Sequence, residues 1–277
     1  MQIQSLSQKT KNKAPIVLLY GDTSVGKTVS SIISLIRYLR AKKDKRPMLM
    51  VEVEVRENSL MLDAVRETIP DLSDSDIIFI RFESWEDLVS NLANPDSDFH
   101  KLMATCGALL VDNISYLMND VLAHEIQDER WNAQVADMKG NAKDNKAILK
   151  SLIASTKMSI ESWGSLAEQM KRIMEKFIPI SKNGKPIIFT AWSEDNPKYN
   201  RALAAAPCFA GKMFVKSIPA YFDLIGLVET KIKDGVTIYP PKVSFECVNP
   251  DEGDFMCKWN GSPSAKKVRP LFLEKII

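Results

Sequence analysis

Gly21-Asp22-Thr23-Ser24-Val25-Gly26-Lys27-Thr28 matches the pattern Gly-x-x-x-x-Gly-Lys-[Ser/Thr], and its flanks decide how it is read. Before it, Pro15-Ile16-Val17-Leu18-Leu19-Tyr20 is a continuous apolar run, the pattern of a strand buried on both faces. After it, Val29, Ile32, Ile33, Ile36 and Leu39 fall on one face of a helix. Strand, glycine-containing loop and helix N-terminus together form a phosphate cradle. The loop N–H groups and the positive end of the helix dipole point at anionic oxygens. In that geometry Lys27 faces the β- and γ-phosphates of a nucleoside triphosphate, and the Thr28 hydroxyl holds Mg²⁺. The bland alternative, a glycine turn before a surface helix, does not account for the buried strand in front of it.

The rest of the chain alternates strands with helices. Residues 48–55 (Met-Leu-Met-Val-Glu-Val-Glu-Val) read as a strand with Glu52 and Glu54 on one face. A short helix over 59–68 leads to a strand over 76–82, and a helical stretch over 85–105 is broken at Asn94-Pro95-Asp96. Ala108-Leu109-Leu110-Val111-Asp112 is a short apolar strand ending in a carboxylate. Leu166, Met170, Ile173 and Phe177 then mark an amphipathic helix, which feeds a fifth strand over 185–191. This order predicts an α/β fold with a mainly parallel central sheet flanked by helices. Residues 223–231 and 236–248 read as an antiparallel hairpin about Lys233-Asp234-Gly235, with a last strand over 268–273. The expected organisation is one domain over 1–277. It comprises a polar tail over 1–13, a helical, lysine-containing insertion over 118–162 and a β extension over 223–277.

Composition narrows the classes. Apolar residues make up 45% and charged residues 26%, which fits a globular chain. The first 13 residues lack a signal-like apolar stretch, and no apolar run is long enough to cross a membrane, so a cytoplasmic setting is expected. Cys106, Cys208, Cys247 and Cys257 show no C-x-x-C spacing, which argues against a zinc site or disulfide framework. Net charge is only +2, but it is unevenly placed. Residues 37–46 hold six basic residues against Asp44, and 139–157 hold five lysines against Asp144. Asp120, Glu125, Asp128, Glu129 and Asp137 make the stretch between them acidic. Each run is either a polyanion contact or a solvated face.

Asp112 falls where a parallel strand ends beside the phosphate loop. There it either holds Mg²⁺ together with Thr28 or caps the next helix. Hydrolysis also needs a group that orients or deprotonates water. Glu54, nearer the strand's end, is preferred over Glu52.

Phosphate loop, Glu-bearing strand and Val111-Asp112-Asn113-Ile114-Ser115-Tyr116-Leu117, in that order, resemble the core of the RecA/RadA recombinases. More narrowly, the chain resembles the RecA-like single-strand-annealing ATPases of bacteriophages, through four further pieces. These are Trp163-Gly164, residues 186–191 (Pro-Ile-Ile-Phe-Thr-Ala), residues 207–212 (Pro-Cys-Phe-Ala-Gly-Lys) and Phe222-Asp223. The resemblance covers residues 14–275 apart from the insertion. It implies an ATPase using ATP and Mg²⁺, catalytic roles for Glu54 and Lys27, and a homo-oligomeric ring or filament. Single-stranded DNA would be the partner, with a single-strand-binding protein as a further one, in the cytoplasm of a bacterial host.

Two departures stand out. The family places a polar γ-phosphate sensor after the Thr-Ala of the fifth strand, where this chain has Trp192, so that role either passes to Thr190 or Ser193 or is weakened. Of the family's C-terminal Lys-x-Arg, which reaches a neighbour's nucleotide, only Lys258 is kept. Lys258 is either that trans contact or a solvated lysine. The region after Asp112 is where RecA relatives bind DNA. Lys139, Lys143, Lys146 and Lys150 are the candidate backbone contacts there, or else one face of a surface helix. Trp131 and Trp163 beside them are core residues or base-stacking platforms. Two other functions remain open: a nucleotide-gated switch or motor acting on a protein partner, and a small-molecule kinase, for which no arginine-rich lid is visible.

Overall fold

The computed structural model describes residues 14–54, 59–141, 158–181, 183–195, 205–233 and 236–244. The elements run β1 (Ile16–Gly21), α1 (Lys27–Ala41), β2 (Met48–Glu52), α2 (Ser59–Thr68), β3 (Ile77–Arg81), α3 (Trp85–Ala93), α4 (Asp98–Thr105) and β4 (Ala108–Asp112). A one-turn helix α5 (Ile114–Tyr116) and a π-helical segment (Leu117–Leu122) lead into α6 (Ala123–Asn141). Then come α7 (Ile160–Ser181), β5 (Ile187–Asp195), β6 (Ala205–Pro207), α8 (Lys212–Ser217), a 3₁₀ turn (Ile218–Ala220), β7 (Leu224–Lys233) and β8 (Val236–Ser244).

The sheet order is β3-β2-β4-β5-β1-β7-β8, with β6 paired to β5. All pairings along β3 to β7 are parallel; β6 and β8 run antiparallel to their neighbours. The expected α/β architecture with a terminal antiparallel pair is therefore present. β7 also joins the parallel sheet directly, beside the phosphate-loop strand.

Period-two alternation places the core on both faces of the sheet. Ile16, Leu18 and Tyr20 face one side with Leu49, Val51, Leu109, Val111, Ile187 and Phe189. Val17 and Leu19 face the other with Met48, Met50, Leu110 and Ile188, beneath Ile32, Leu35, Ile36 and Leu39 of α1. On the first side Leu166, Met170, Ile173 and Phe177 of α7 are buried, as their spacing required. Edge-to-face contacts then run from Phe99 to Phe177, Phe189 and Phe222, at centroid distances of 6.3, 5.7 and 5.6 Å.

Pro95 separates α3 from α4 as expected, and Ser84 and Ser97 cap the two helices through their hydroxyls. The second strand ends at Glu52, short of residue 55. Its neighbours explain this: Glu52 is in register with Arg81, the last residue of β3, and with Asp112, the last of β4. One more bond, from Val53 N–H to Asp112 O (2.8 Å), closes the ladder, and Glu54 then lies in a bend. Within residues 118–162, α6 runs through Asn141. Lys143, Lys146, Lys150, Lys258, the 234–235 turn and the strand expected over 268–273 lie outside the described residues.

Candidate nucleotide site

β1, β4 and β5 all deliver their C-terminal ends to one edge, and three of the expected residues meet there. Thr28 Oγ1 donates to Asp112 Oδ2 at 2.7 Å, and Thr190 Oγ1 donates to Asp112 Oδ1. The sheet order makes this possible. β5 lies between β1 and β4, so Thr190 stands between the loop and the carboxylate strand.

The loop itself is built by backbone geometry. Gly26 adopts φ +85° immediately before α1, a conformation that glycine takes without strain. No side chain caps α1 and no acidic residue occupies its first turn, so the helix itself supplies no charge to offset its positive pole. Gly21 is required for another reason: a Cβ there would lie 2.4 Å from the Val228 carbonyl oxygen on β7. Asp22, Thr23 and Ser24 are exposed, whereas Val25 is buried and anchors the loop to the α1 side of the sheet.

Lys27 is buried, and its ammonium donates to the loop carbonyls of Gly21 (2.8 Å) and Asp22 (2.6 Å). Phosphate oxygens could replace these two carbonyls as its acceptors. Ser193, the other sensing candidate, donates through Oγ to Asp22 Oδ1, so the overhanging end of β5 touches the loop. Thr190 is therefore tied to the carboxylate and Ser193 to the loop.

Hard oxygen donors suit Mg²⁺, which keeps several waters and needs only one or two protein ligands. Thr28 and Asp112, already within hydrogen-bond distance, fit that requirement. Among the described residues no group of three or more His, Cys, Asp or Glu could hold a metal.

The two glutamates differ in environment. Glu52 is buried, with Arg81 Nη2 at 3.5 Å from its Oε2. Burial pushes its carboxyl above the ordinary glutamate value; Arg81 opposes this and Asp112 adds to it. Glu54 is half-buried, two residues beyond the strand's end. A raised folded-state value means that Glu52 stabilises the fold below the unfolded-state pKa, and that this contribution is lost as pH rises through the folded-state value. Glu52→Gln should remove that decline. The check is the urea midpoint of both proteins at about pH 4 and about pH 7; an equal fall in the variant would locate the titration elsewhere.

Several contributors were not visible as site residues in the sequence. Asn113 caps the turn after β4 through bonds from the N–H groups of Ser115 and Tyr116. Ser115 Oγ in turn accepts from the Trp192 N–H at 3.0 Å, and the Trp192 and Tyr116 rings meet edge to face. Trp192 thus ties β5 to the segment leaving Asp112. Proximity of Ser115 to Asp112 in sequence was the one available signal. Trp131 and Trp163 are each 39% exposed, so neither is a core residue. Arg130 Nη1 donates to Ser162 Oγ at 3.2 Å, linking the helices that bear them. Lys139 lies near the end of α6.

No family model matches this chain, and no curated protein does. Among solved structures it is similar to a KaiC-like protein from the hyperthermophilic archaeon Pyrococcus horikoshii. The identity is 14% over 92% of this chain and 84% of the other, with a TM-score of 0.44. It is likewise similar to the flagellar accessory protein FlaH of Methanocaldococcus jannaschii, at 14% identity over the same shares and a TM-score of 0.43.

Proposed function

We propose that this chain is a RecA-like ATPase that binds ATP with Mg²⁺ and acts on single-stranded DNA in annealing or strand exchange. The observation that carries the nucleotide reading is the convergence of Thr28, Asp112 and Thr190 beside an uncapped helix and Lys27. Loop N–H groups and Lys27 would bind the phosphates, while Thr28 and Asp112 would hold Mg²⁺. The metal would supply charge neutralisation between the β- and γ-phosphates. Glu54 would orient the attacking water and accept its proton, and Thr190 would report on the γ-phosphate through its bond to Asp112. Assembly into a ring or filament, with Lys258 reaching a neighbour's nucleotide, belongs to the same proposal.

The DNA part rests on the lysines after Asp112 and on the exposed Trp131 and Trp163. One observation favours a second reading, a nucleotide-gated switch with a protein partner. The early part of α6 is acidic, and Glu125 has its carboxyl pushed up by burial and by Glu86, Glu129 and Asp128. That surface repels a phosphate backbone.

ATP turnover measured with and without single-stranded DNA separates the two, since stimulation by DNA is expected only of the first. The lysines give a sharper test. Replacing Lys143, Lys146 and Lys150 together by Ala should weaken binding to all sequences alike. It should also flatten the log–log salt slope by about two units, at about 0.7 per lost contact. Unchanged slope and affinity would take the DNA surface away from the insertion.

A further inference from the structure

A cavity of about 880 Å³ opens at the opposite edge of the sheet, where the strands begin. Its walls come from residues that precede strands or close helices: Arg46 before β2, Met103 and Ala104 at the end of α4, and Lys185 before β5. The last turns of α7 supply Arg172, Glu175, Lys176, Pro179 and Ile180. The nucleotide site lies at the C-terminal ends of the same strands, so the cavity is separate from it.

Its chemistry is specific. Lys185 is 4% exposed, yet no carboxylate lies within ion-pair distance among the described residues. Its ammonium donates to the Met103 and Ala104 carbonyls at 2.7 and 2.6 Å, which close the C-terminal turn of α4. A lysine ammonium has three donors, so one remains for the cavity. Burial lowers the Lys185 pKa, the cost of holding a charge away from water that an anion beside it would offset. Asp44 is the nearest candidate to neutralise it, but Asp44 is already bonded through both oxygens to Arg46.

Arg172 and Lys176 stand one helical turn apart on α7 and are exposed at the rim. Arg46 is paired with Asp44, and Arg172 Nε lies 3.6 Å from Glu168 Oε1. Four cations therefore meet the three carboxylates Asp44, Glu168 and Glu175, and Lys185 and Lys176 carry the surplus. Buried Met103, half-buried Ile180 and exposed Pro179 supply the apolar lining. An ordinary surface lysine cluster has neither the buried ammonium nor a buried apolar neighbour such as Met103. The volume lies within the ~300–1,000 Å³ typical of small-molecule pockets.

We propose that this cavity is a second binding site, for a small organic phosphate whose dianion meets Lys185, Arg172 and Lys176 while its apolar part lies on Met103, Pro179 and Ile180. Phosphate suits this set, because guanidinium and ammonium donors bind it through short charge-assisted bonds.

Phenyl phosphate is a direct probe, having one dianion, one apolar ring and no β- or γ-phosphate. Titrated calorimetrically into the full chain, it should bind saturably, and at least about fivefold more tightly than inorganic phosphate, the gain expected from burying part of a ring. Reversing the exposed rim charges in Arg172→Glu/Lys176→Glu should weaken binding at least about tenfold while leaving ATP binding unchanged. Lys185→Met, if it folds, should do the same. Three results would each overturn the proposal: no saturable binding to the wild type at about 10 mM, equal affinity for inorganic phosphate, or undiminished binding in the rim variant. Loss of phenyl phosphate binding in Lys27→Ala with the rim intact would place the probe in the phosphate loop, and would also overturn it.

Discussion

Lys27→Ala should lose ATP binding and ATP turnover together. The ammonium is positioned by the Gly21 and Asp22 carbonyls, so no side-chain rearrangement is needed to bring it to the loop. A charge-assisted bond to phosphate is worth about 1.5–3 kcal/mol, roughly 10- to 150-fold in affinity. Charge that develops between the β- and γ-phosphates during hydrolysis adds to the loss in turnover. The substitution also leaves two loop carbonyls without their donor, so a thermal melt must show that the variant is folded. Fluorescent-nucleotide titration and phosphate release then measure the effect. A folded Lys27→Ala protein that hydrolyses ATP like the wild type would remove the nucleotide site from this loop.

Glu54→Gln should bind ATP normally and turn it over about 10²- to 10⁴-fold more slowly, the range for losing a general base. Size and hydrogen-bonding capacity are kept, so a defect confined to turnover identifies the base. Glu52→Gln is the informative partner. Its carboxylate is buried beside Arg81 and Asp112, which suits a group that supports the site rather than one that meets water. A large loss in Glu52→Gln with little change in Glu54→Gln would reverse the assignment and make the buried acid the catalytic one.

What could be read from the chain and what could not divide along physical lines. The loop was legible because its function is local: two glycines, a lysine and a threonine at set spacing on a strand-to-helix turn. The strands β1 and β4 were legible because each is an apolar run up to its last residue, β5 through Ile187-Ile188-Phe189 although it continues past the expected residue 191 to Asp195, and α7 because Leu166, Met170, Ile173 and Phe177 keep the helical period. Asp112 could be proposed from its place at a strand's end, but its bond to Thr190 depends on β5 lying between β4 and β1. Strand order is a long-range property that no window of sequence contains. The end of β2 was misjudged for a related reason. Alternation alone carries the strand to residue 55, whereas the ladder stops where Arg81 and Asp112 end the neighbouring strands. Trp192 looked like a gap in a sensor pattern. Its N–H bond to Ser115 and its ring contact with Tyr116 show that it has a packing role of its own, joining two strand ends.

The position of β1 has a consequence for the order of events during synthesis. Both of its neighbours, β5 and β7, come from the second half of the chain, and the Val228 carbonyl that abuts Gly21 belongs to the later of them. A nascent chain that has emerged through β4 already carries the whole glycine–lysine motif, both glutamates and Asp112. Its first strand, however, has no partner on either side, and Thr190 does not yet exist. Pairing a strand with segments so distant is slow, because loop closure must be met before any contact rewards it. The unpaired, wholly apolar stretch from Ile16 to Tyr20 is the segment most in need of shelter on the ribosome. On the proposed reading, nucleotide capture would be a late acquisition of this polypeptide, and ATP would come too late to template the assembly of its first strands.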